Sequence, residues 1–198
     1  MVVIMIRKIL YPLLCAALMM VNVVSTKAQR LVPRQKGLEL SVHVPLLKEQ
    51  PLISQDNFGT SLSFSRNLKR GRYTYLSAIY NQQSLEYRSY QVPLRDYLLQ
   101  MRYAHPLLSD KGKNIFLYLG PSALVGYEQL NRGDALLPDG ATLLDRSGLV
   151  YGAGIQTSIE CFLLDKLILS SKVQAHYLFN SDVYRLRPML SLGLRYQL

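Results

Sequence analysis

The chain has 198 residues and carries 23 lysine and arginine residues against 13 aspartate and glutamate residues, a formal net charge of +10. It contains 14 tyrosines, no tryptophan and two cysteines, and one of the cysteines lies in the predicted signal peptide, so no disulfide framework can hold the fold. After residue 29 there is no long helical periodicity and no run of 18 apolar residues, which excludes a spanning helix and favours a single all-β domain of about 170 residues.

The N-terminal segment has the parts of a secretory signal. Arg7 and Lys8 precede an apolar run from residue 9 to residue 24, and small residues stand at positions 26 and 28, where a signal peptidase reads the chain. The run is shorter than the about 20 residues that a spanning helix needs. We predict a signal peptide over residues 1–28 and a single exported domain over residues 29–198. Cleavage removes three basic residues and no acidic one, leaving 20 basic against 13 acidic.

Alternation of apolar and polar residues with a period of two then predicts eight strands. In the first four, the face predicted to point outward carries Leu38, Leu40, Val42 and Val44; Phe58, Thr60, Leu62 and Phe64; Leu76, Ala78 and Tyr80; and Tyr97, Leu99, Met101 and Tyr103. Residues 81–93 are polar and rich in tyrosine, so we predict a long connection there. Residues 105–113 contain Pro106 and the turn residues Asp110-Lys111-Gly112, and we predict that they link strands four and five.

The last four strands follow the same pattern. Their outward faces are predicted to carry Ile115, Leu117, Leu119, Ala123 and Val125; Tyr151, Ala153, Ile155, Thr157 and Ile159; Leu167, Leu169, Val173, Ala175, Tyr177 and Phe179; and Leu190, Leu192, Leu194, Tyr196 and Leu198. Pro121 cannot donate to a strand ladder, so we expect a β-bulge there. The longest connection, residues 129–147, contains Pro138-Asp139-Gly140, which predicts a projecting hairpin.

The predicted connections alternate in length, with the odd-numbered ones longer, although the seventh is modest. Short periplasmic turns and longer outer loops are typical of outer-membrane barrels. With the odd connections outside, one group of aromatic residues lies near the outer strand ends and a second near the inner ends: Phe58, Tyr80, Tyr97, Tyr127, Tyr151, Tyr177 and Phe179 in the first, and Phe64, Tyr73, Tyr103, Phe116, Phe162 and Tyr196 in the second. Two aromatic girdles are what strands that cross a bilayer require.

The last strand separates its two faces most cleanly. The order polar, any, Gly, any, any, aromatic, any, apolar is present as Ser191, Gly193, Tyr196 and Leu198. This order resembles the C-terminal signal by which outer-membrane barrels are recognised for insertion, with leucine at the end where phenylalanine is usual. Taken alone, the same alternation also fits an amphipathic edge strand of a soluble sheet.

A barrel in a membrane must be closed and its polar side chains must turn inward. Unpaired N–H and C=O groups in hydrocarbon each cost several kcal/mol, so strand one must pair with strand eight. Eight strands leave a lumen that side chains fill. We predict that a structural polar network in this lumen is formed by Glu39, Arg102, Glu128, Glu160, Lys172 and Arg195. The predicted fold of residues 29–198 is therefore an outer-membrane β-barrel domain, an eight-stranded antiparallel up-and-down transmembrane β-barrel with a packed lumen instead of a pore.

No catalytic or metal-binding pattern stands out in the sequence. The three histidines, His43, His105 and His176, lie on different predicted elements without the spacing of metal ligands, so we expect no metal and no cofactor. His176 and Ser181 are the one candidate pair for a lipid A-modifying enzyme, and no acidic residue completes their pattern. We predict that the protein is not an enzyme and has no small-molecule substrate.

The positive charges are scattered through turns and polar strand faces instead of lying on one helix. This distribution argues against direct nucleic-acid binding. Outer-membrane lipid headgroups and lipopolysaccharide phosphates are the partners we expect instead.

Several segments resemble a known family. They are Ala28-Gln29-Arg30 and residues 35–39 at the predicted mature start, Val125-Gly126-Tyr127-Glu128 running into Asn131 and residues 135–141, Tyr151-Gly152-Ala153-Gly154, and the region from Arg185 to Arg195. In these segments the chain resembles the TraO family of conjugative-transposon proteins from Bacteroides-type bacteria, over essentially the whole mature chain. The resemblance implies a component of the mating apparatus that moves a conjugative element between cells, with other conjugation proteins as partners. It implies no catalytic residues.

Four functions therefore stay open at this point. The first is a non-enzymatic outer-membrane barrel of a conjugal DNA-transfer apparatus, with a structural or recipient-contact role. The second is a small outer-membrane barrel for adhesion or envelope integrity, and the third is the lipid A-modifying enzyme. The fourth, a soluble periplasmic barrel with an internal ligand, leaves a large exposed apolar surface unexplained.

Overall fold

The computed structural model describes residues 31–46, 57–87, 90–134, 137, 140, 142, 147–181 and 183–198. The predicted signal peptide lies outside these residues, as do Pro138 and Asp139 of the predicted projecting hairpin. Next to them, the N–H of Gly140 donates to the carbonyl of Leu137 at 2.9 Å, and Gly140 has a φ of 81°. The projecting hairpin itself therefore stays a prediction.

Eight antiparallel strands form a closed barrel in which each strand pairs with its neighbours in sequence. Their bounds are β1 Lys36–Pro45, β2 Phe58–Asn67, β3 Tyr73–Tyr87, β4 Tyr90–Ser109, β5 Ile115–Leu130, β6 Ser147–Phe162, β7 Leu167–Leu178 and β8 Leu186–Gln197. The barrel is closed by β1 and β8, with Glu39 opposite Arg195 and Val42 opposite Leu192. The predicted up-and-down barrel is confirmed. We call the end with the β2–β3, β4–β5 and β6–β7 turns the turn end, and the opposite end the loop end.

The two faces of the sheet differ in chemistry along almost every strand. In β8, Leu190, Leu192, Leu194 and Tyr196 point outward and are 42–52% exposed, whereas Ser191, Arg195 and Gln197 are buried. Leu76 and Ala78 of β3 also face outward as predicted. No helix among the described residues is long and apolar enough to cross a lipid bilayer. The barrel therefore presents a continuous apolar exterior, as strands that contact lipid require.

The predicted long connection over residues 81–93 is wrong. β3 continues to Tyr87 and β4 begins at Tyr90, so residues 81–87 and 90–96 pair as seven further rungs of a hairpin above the Tyr80–Tyr97 pair. At about 3.3 Å per residue, this hairpin rises roughly 23 Å beyond that level. The alternation of apolar and polar residues does not reveal these strand ends, because the hairpin extends beyond the hydrocarbon of the membrane. Strands there can pair without an apolar outer face.

Two local predictions around β4 and β5 also need correction. No bulge occurs at Pro121, because the register runs unshifted from the Arg102–Ser122 pair to the His105–Leu119 pair. Gly120 allows this close approach, since a Cβ there would lie 1.7 Å from the carbonyl oxygen of Tyr103. The register shifts instead between Pro106 and Leu108, within a strand that continues to Ser109, so the predicted turn over residues 105–113 begins too early.

The aromatic girdle at the loop end forms a nearly continuous outward band. Its ring centroids lie 5.3 Å apart for Tyr80 and Tyr97, 6.2 Å apart for Phe58 and Tyr80, and 5.4 Å apart for Tyr177 and Phe179. The predicted girdle at the turn end is partly wrong. Tyr73, Phe116 and Phe162 are buried inside the barrel, because they occupy inward positions of the alternation, and only Phe64, Tyr103 and Tyr196 of that set face outward.

The outward apolar residues between the two ends of the barrel form an apolar band, and a charge placed in the middle of this band should prevent stable insertion into a membrane. We expect Leu192→Arg to destabilise the folded barrel in lipid vesicles by about 2–4 kcal/mol, because its guanidinium would lie near the bilayer midplane. Leu186→Arg is the matched control at the loop-end tip of the same strand and face, where the cost is about 0–1 kcal/mol. Urea titrations in vesicles measure both values, and equal costs would mean that lipid does not surround this face.

Candidate functional site

The lumen of the barrel is the candidate site, because the charged side chains that the fold buries converge there. Among the described residues, four buried acids face four buried bases: Glu39, Asp96, Glu128 and Glu160 against Arg102, Lys172, Arg187 and Arg195. Burying a charge is costly unless it is paired and hydrogen-bonded. Because the numbers of buried acidic and basic side chains are equal, the formal charge of the lumen sums to zero.

Seven side chains form an ionic cluster in the turn-end half of the lumen. Lys172 pairs with Glu39, and Arg195 pairs with Glu160. Two tyrosines join the pairs: Tyr75 donates to Glu39 and accepts a hydrogen bond from Arg195, while Tyr73 donates to Glu160. These contacts link β7 to β1 and β6 to β8 across the lumen, so they tie together strands that are not neighbours in the sheet.

Arg102 occupies the side of this cluster on β4. Its guanidinium donates to the hydroxyl of Tyr73 at 3.2 Å and lies 4.4 Å from the ring centroid of Tyr75. A guanidinium over an aromatic ring gains a cation–π attraction, which is strongest where water is excluded. The third cation of the cluster is thus held by aromatic rings, without a carboxylate partner of its own among the described contacts.

Aromatic and aliphatic side chains close the lumen below the ionic cluster. The buried set consists of Tyr73, Tyr75, Ala104, Phe116, Tyr118, Phe162 and Ile168, and Leu31 of the N-terminal segment packs against it. The rings of Phe116 and Tyr118 stack at 5.8 Å. This layer covers the turn end of the lumen with hydrocarbon.

The middle of the lumen is neutral and polar. Gln100 donates to Ser122 at 3.0 Å and its Nε2 atom lies 3.0 Å from Nε2 of His176, and Gln174 donates to Ser191 at 3.0 Å. A cavity of about 10 Å³ lies among polar side chains that include His43, which is room for about one water molecule. This cavity is therefore too small for a solute larger than water.

A second ionic cluster closes the loop end. Asp96 and Glu128 stand directly opposite each other on β4 and β5, and Arg187 of β8 bridges them, with Nη1 2.5 Å from Asp96 and Nη2 paired with Glu128. Arg187 also donates to Ser181 at 2.8 Å and to the carbonyl of Tyr184 at 2.9 Å. One guanidinium therefore ties the β7–β8 connection to two strands across the barrel mouth.

All six side chains predicted to form the lumen network lie inside the barrel. Four of them meet in the pairs Lys172–Glu39 and Arg195–Glu160, Arg102 contacts Tyr73, and Glu128 pairs with Arg187, a residue outside the predicted set. Sequence reasoning also missed Asp96. The alternation could have found both residues, because Asp96 is in phase with Arg102 and Arg187 is in phase with Arg195.

The histidines do not assemble into a site. His43 and His176 are buried in the lumen, whereas His105 is exposed on the outer surface. His176 contacts Gln100, and Ser181 donates to Glu128 at 2.9 Å, so the candidate pair has different partners. No group of three or more His, Cys, Asp or Glu side chains within the described part of the chain could hold a metal ion.

The residues of the predicted insertion signal divide between the two faces. Tyr196 and Leu198 are exposed on the outside, and Ser191 is buried in the lumen. Gly193 also faces inward, where a Cβ would lie 2.8 Å from the hydroxyls of Ser41 and Ser170 and 3.0 Å from Glu39. A side chain at position 193 would therefore displace the Glu39 cluster. The recognition role of this segment during insertion stays a prediction.

Comparison with known proteins gives one family and a set of similar barrels. A family model described as conjugative transposon protein TraO matches residues 32–198. No curated protein matches the chain.

Among solved structures, Ail, the attachment invasion locus protein of Yersinia pestis, aligns with a TM-score of 0.54 at 10% identity, covering 84% of this chain and 100% of Ail. Neisserial surface protein A aligns with a TM-score of 0.54 at 13% identity, covering 83% and 96% of the two chains. The N-terminal barrel domain of Pseudomonas aeruginosa OprF aligns with a TM-score of 0.51 at 11% identity, covering 84% and 98%. At these identities the likeness concerns the fold alone.

Proposed function

This chain belongs to the TraO family of conjugative transposon proteins, and from that premise we propose that it is a non-enzymatic outer-membrane component of a conjugal DNA-transfer apparatus. Its role is structural: the barrel anchors the protein in the outer membrane, and the loop end presents a rigid surface to the recipient cell. The projecting β3–β4 hairpin is the observation that carries this proposal.

The closed lumen supports the role of a membrane anchor and argues against the role of a channel. Two ionic clusters, a polar middle layer and an aromatic layer fill the described interior, and the cavity of about 10 Å³ is far smaller than a translocating strand. A barrel of eight strands encloses only enough space for side chains. DNA would accordingly cross the envelope through another component of the apparatus.

The β3–β4 hairpin supports a contact role at the loop end. Seven pairs of residues extend it past the aromatic girdle, and its inward side is packed, since Val92 and Leu94 are 5% and 0% exposed. β5 extends the sheet beside it through the pairing of Leu94 with Leu130. The first three of its seven rungs are therefore three-stranded, and four two-stranded rungs project beyond them as the surface offered for recognition.

The chemistry of the lumen supports a non-enzymatic role. Ser181 is hydrogen-bonded to a carboxylate that is itself paired with Arg187, and a nucleophile needs an adjacent free base. The charged side chains lie behind the barrel wall, away from the lipid on which a lipid A-modifying enzyme acts. We propose no catalytic residue, no cofactor and no small-molecule substrate.

Export and the membrane partners belong to the same proposal. Residues 1–28 direct secretion and are removed, and the last strand, with Tyr196 and Leu198 outward, is read during insertion. Outer-membrane lipid surrounds the apolar band, and lipopolysaccharide surrounds the loop end. Other proteins of the transfer apparatus complete the set of partners.

The hairpin also favours a second candidate, a small barrel for adhesion or envelope integrity. A rigid loop-end projection suits adhesion to any surface, whether or not DNA is transferred. The two roles differ in one consequence: an adhesion or integrity protein is needed by its own cell even when no recipient is present, and a transfer component is not.

Deleting the gene from the element should lower the transfer frequency by orders of magnitude, and a plasmid copy should restore it. A hairpin-shortened copy, with residues 84–93 replaced by Asn-Gly so that Gln83 pairs with Leu94 across a two-residue turn, should insert normally and restore transfer poorly. The matched control replaces only Arg88 and Ser89 by Asn-Gly and keeps the full length. Heat-dependent mobility of the outer-membrane fraction on gels verifies insertion.

Transfer at the parental frequency after the deletion would contradict the proposed function as a whole. Full transfer with the shortened hairpin would contradict only the recipient-contact role and leave the barrel as a scaffold. Detergent sensitivity of deletion cells that lack any recipient would favour the envelope role instead.

A further inference from the structure

The excess positive charge of this protein lies at one end of the barrel. The eight buried charges of the lumen cancel, and the four connections at the loop end contain five basic and six acidic residues by sequence. The described turn end carries nine basic residues, Arg34, Lys36, Arg66, Lys69, Arg70, Arg72, Lys111, Lys113 and Lys166, against the two acidic residues Asp110 and Asp165. Outer-membrane barrels have their short turns on the periplasmic side, so this charge faces the inner leaflet and the periplasm, away from lipopolysaccharide.

Two of these cations stand next to each other on the lipid-facing side. Lys36 of β1 is paired directly with Arg66 of β2, and both side chains are exposed on the outward face. Residues opposite each other in an antiparallel pair have Cβ atoms about 4.5–5.5 Å apart, and like charges there repel. No ion pair with a described acidic side chain offsets this repulsion. Two adjacent cations of this kind are favoured around an anion.

The surroundings of the pair match the boundary of a bilayer. Leu38 and Phe64 form the adjacent outward pair toward the membrane centre and are 46% and 41% exposed, so the cations begin where the apolar band ends. On the next strand Tyr196 is outward, and the ammonium of Lys166 lies 6.0 Å from its ring centroid. Arg66 on β2, Lys36 on β1 and Lys166 in the turn that leads into β7 thus span four neighbouring strands, a width of roughly 15 Å at about 4.8 Å per strand.

We propose that Lys36, Arg66 and Lys166 form a binding site for the phosphate groups of an anionic phospholipid in the inner leaflet of the outer membrane. Arginine and lysine donate charge-assisted hydrogen bonds to phosphate oxygens, Tyr196 and Phe64 pack beside the glycerol region, and the acyl chains run along the apolar band. The outward direction of Lys36 and Arg66 favours lipid over a periplasmic protein, because they project sideways from the wall at headgroup level. The proposal rests on the membrane orientation that the proposed function assigns.

The test uses protein purified from outer membranes in neutral detergent, with cardiolipin and phosphatidylcholine as probes and native mass spectrometry as the readout. We expect cardiolipin to bind and phosphatidylcholine to bind much more weakly. The double variant Lys36→Gln/Arg66→Gln should bind cardiolipin about 30-fold more weakly, since each basic residue near an anionic headgroup contributes roughly fivefold. The matched control Lys69→Gln/Arg70→Gln removes the same charge from the β2–β3 turn and should keep most of the binding.

A second readout separates binding from folding. Because the variant relieves a like-charge contact, its unfolding temperature should rise slightly in neutral detergent and should gain less than the parent from added cardiolipin. Equal binding of the two lipids by the parent protein, or equal losses in the two variants, would overturn the proposal. Binding of soluble polyglutamate instead of cardiolipin, with the same dependence on Lys36 and Arg66, would also overturn it and assign the surface to an acidic protein. Conjugal transfer is not measured here, so failure of the lipid site leaves the proposed function intact.

Discussion

Replacing Arg195 by methionine should destabilise the folded barrel by about 3–5 kcal/mol, because removing one partner of a buried ion pair leaves the other charge uncompensated. Arg195 is completely buried, and so is its partner Glu160. The same guanidinium donates to Tyr75, which in turn donates to Glu39, so its loss disturbs both carboxylates of the cluster. Methionine fills similar space without the charge, which limits the contribution of a cavity. Guanidinium titration in detergent micelles, followed by far-ultraviolet circular dichroism, measures the change.

Two further variants separate charge from packing at this position. Arg195→Met combined with Glu160→Gln should recover most of the lost stability, because the stranded carboxylate is then neutral. Gln197→Met is the matched control: it lies on the same strand and face, is completely buried, and its side-chain amide has no hydrogen-bond partner among the described residues. Its effect should be small or stabilising. A loss for Gln197→Met as large as that for Arg195→Met would show that packing, not charge, sets the stability here.

Replacing Arg187 by methionine should cost about 3 kcal/mol, near the lower end of the range for a broken buried pair. Asp96 and Glu128 face each other across β4 and β5, and without the guanidinium between them two carboxylates repel at close range. The cost stays low in the range because Glu128 is 8% exposed and keeps some contact with water. The same titration measures the loss.

The Arg187 variant should also loosen the loop end. Arg187 holds the β7–β8 connection through Ser181 and the carbonyl of Tyr184, so protease should cut this connection faster on intact cells. Arg185→Met, two residues away on the exposed surface, is the matched control and should change stability by less than about 0.5 kcal/mol. Adding Asp96→Asn and Glu128→Gln should restore stability but leave the connection accessible. If proteolysis were unchanged in the Arg187 variant, the guanidinium would not be the anchor.

The two clusters together explain how buried charges help to hold the barrel in register. The strand ladders join only neighbours, whereas Lys172 with Glu39 joins β7 to β1 and Arg187 with Asp96 joins β8 to β4. A slip of one residue in any of these strands would turn its charged residue toward lipid, which costs about 2–4 kcal/mol for arginine or lysine at the midplane. The buried charges therefore select one closed register as well as stabilising it.

The alternation of apolar and polar residues is sufficient to predict the barrel, because successive residues of a strand face lipid and lumen in turn, and these two environments require opposite chemistry. It predicted eight strands, the outward direction of residues such as Leu192 and Tyr196, and the inward direction of all six charged residues expected in the lumen. It also placed the loop-end aromatic band, where Tyr80, Tyr97, Phe58 and Tyr177 lie. Each of these follows from a period of two along a single strand, which is a local property of the chain.

Where the two environments do not differ, the alternation carried no information. The β3–β4 hairpin beyond Tyr80 and Tyr97 has water on its outer side, so its polar, tyrosine-rich sequence predicts a connection although the strands pair as far as Tyr87. The sequence places Tyr73, Phe116 and Phe162 in a girdle because aromatic rings suit both a membrane interface and a packed lumen. Pro121 predicts a bulge, because the close approach of β4 that Gly120 permits is visible only in the folded barrel.

The sequence alone determined which side of the wall each strand residue faces, since that depends on its own position in a two-residue repeat. Only the tertiary structure decided which charges meet: Glu128 with Arg187 and Arg195 with Glu160 in the lumen, and Lys36 beside Arg66 on the outside. These contacts join residues far apart in the chain, and they depend on strand register and on the closure of β1 against β8. Which side chains meet across the lumen depends on the stagger of all eight strands in the closed barrel. No single stretch of sequence specifies that stagger.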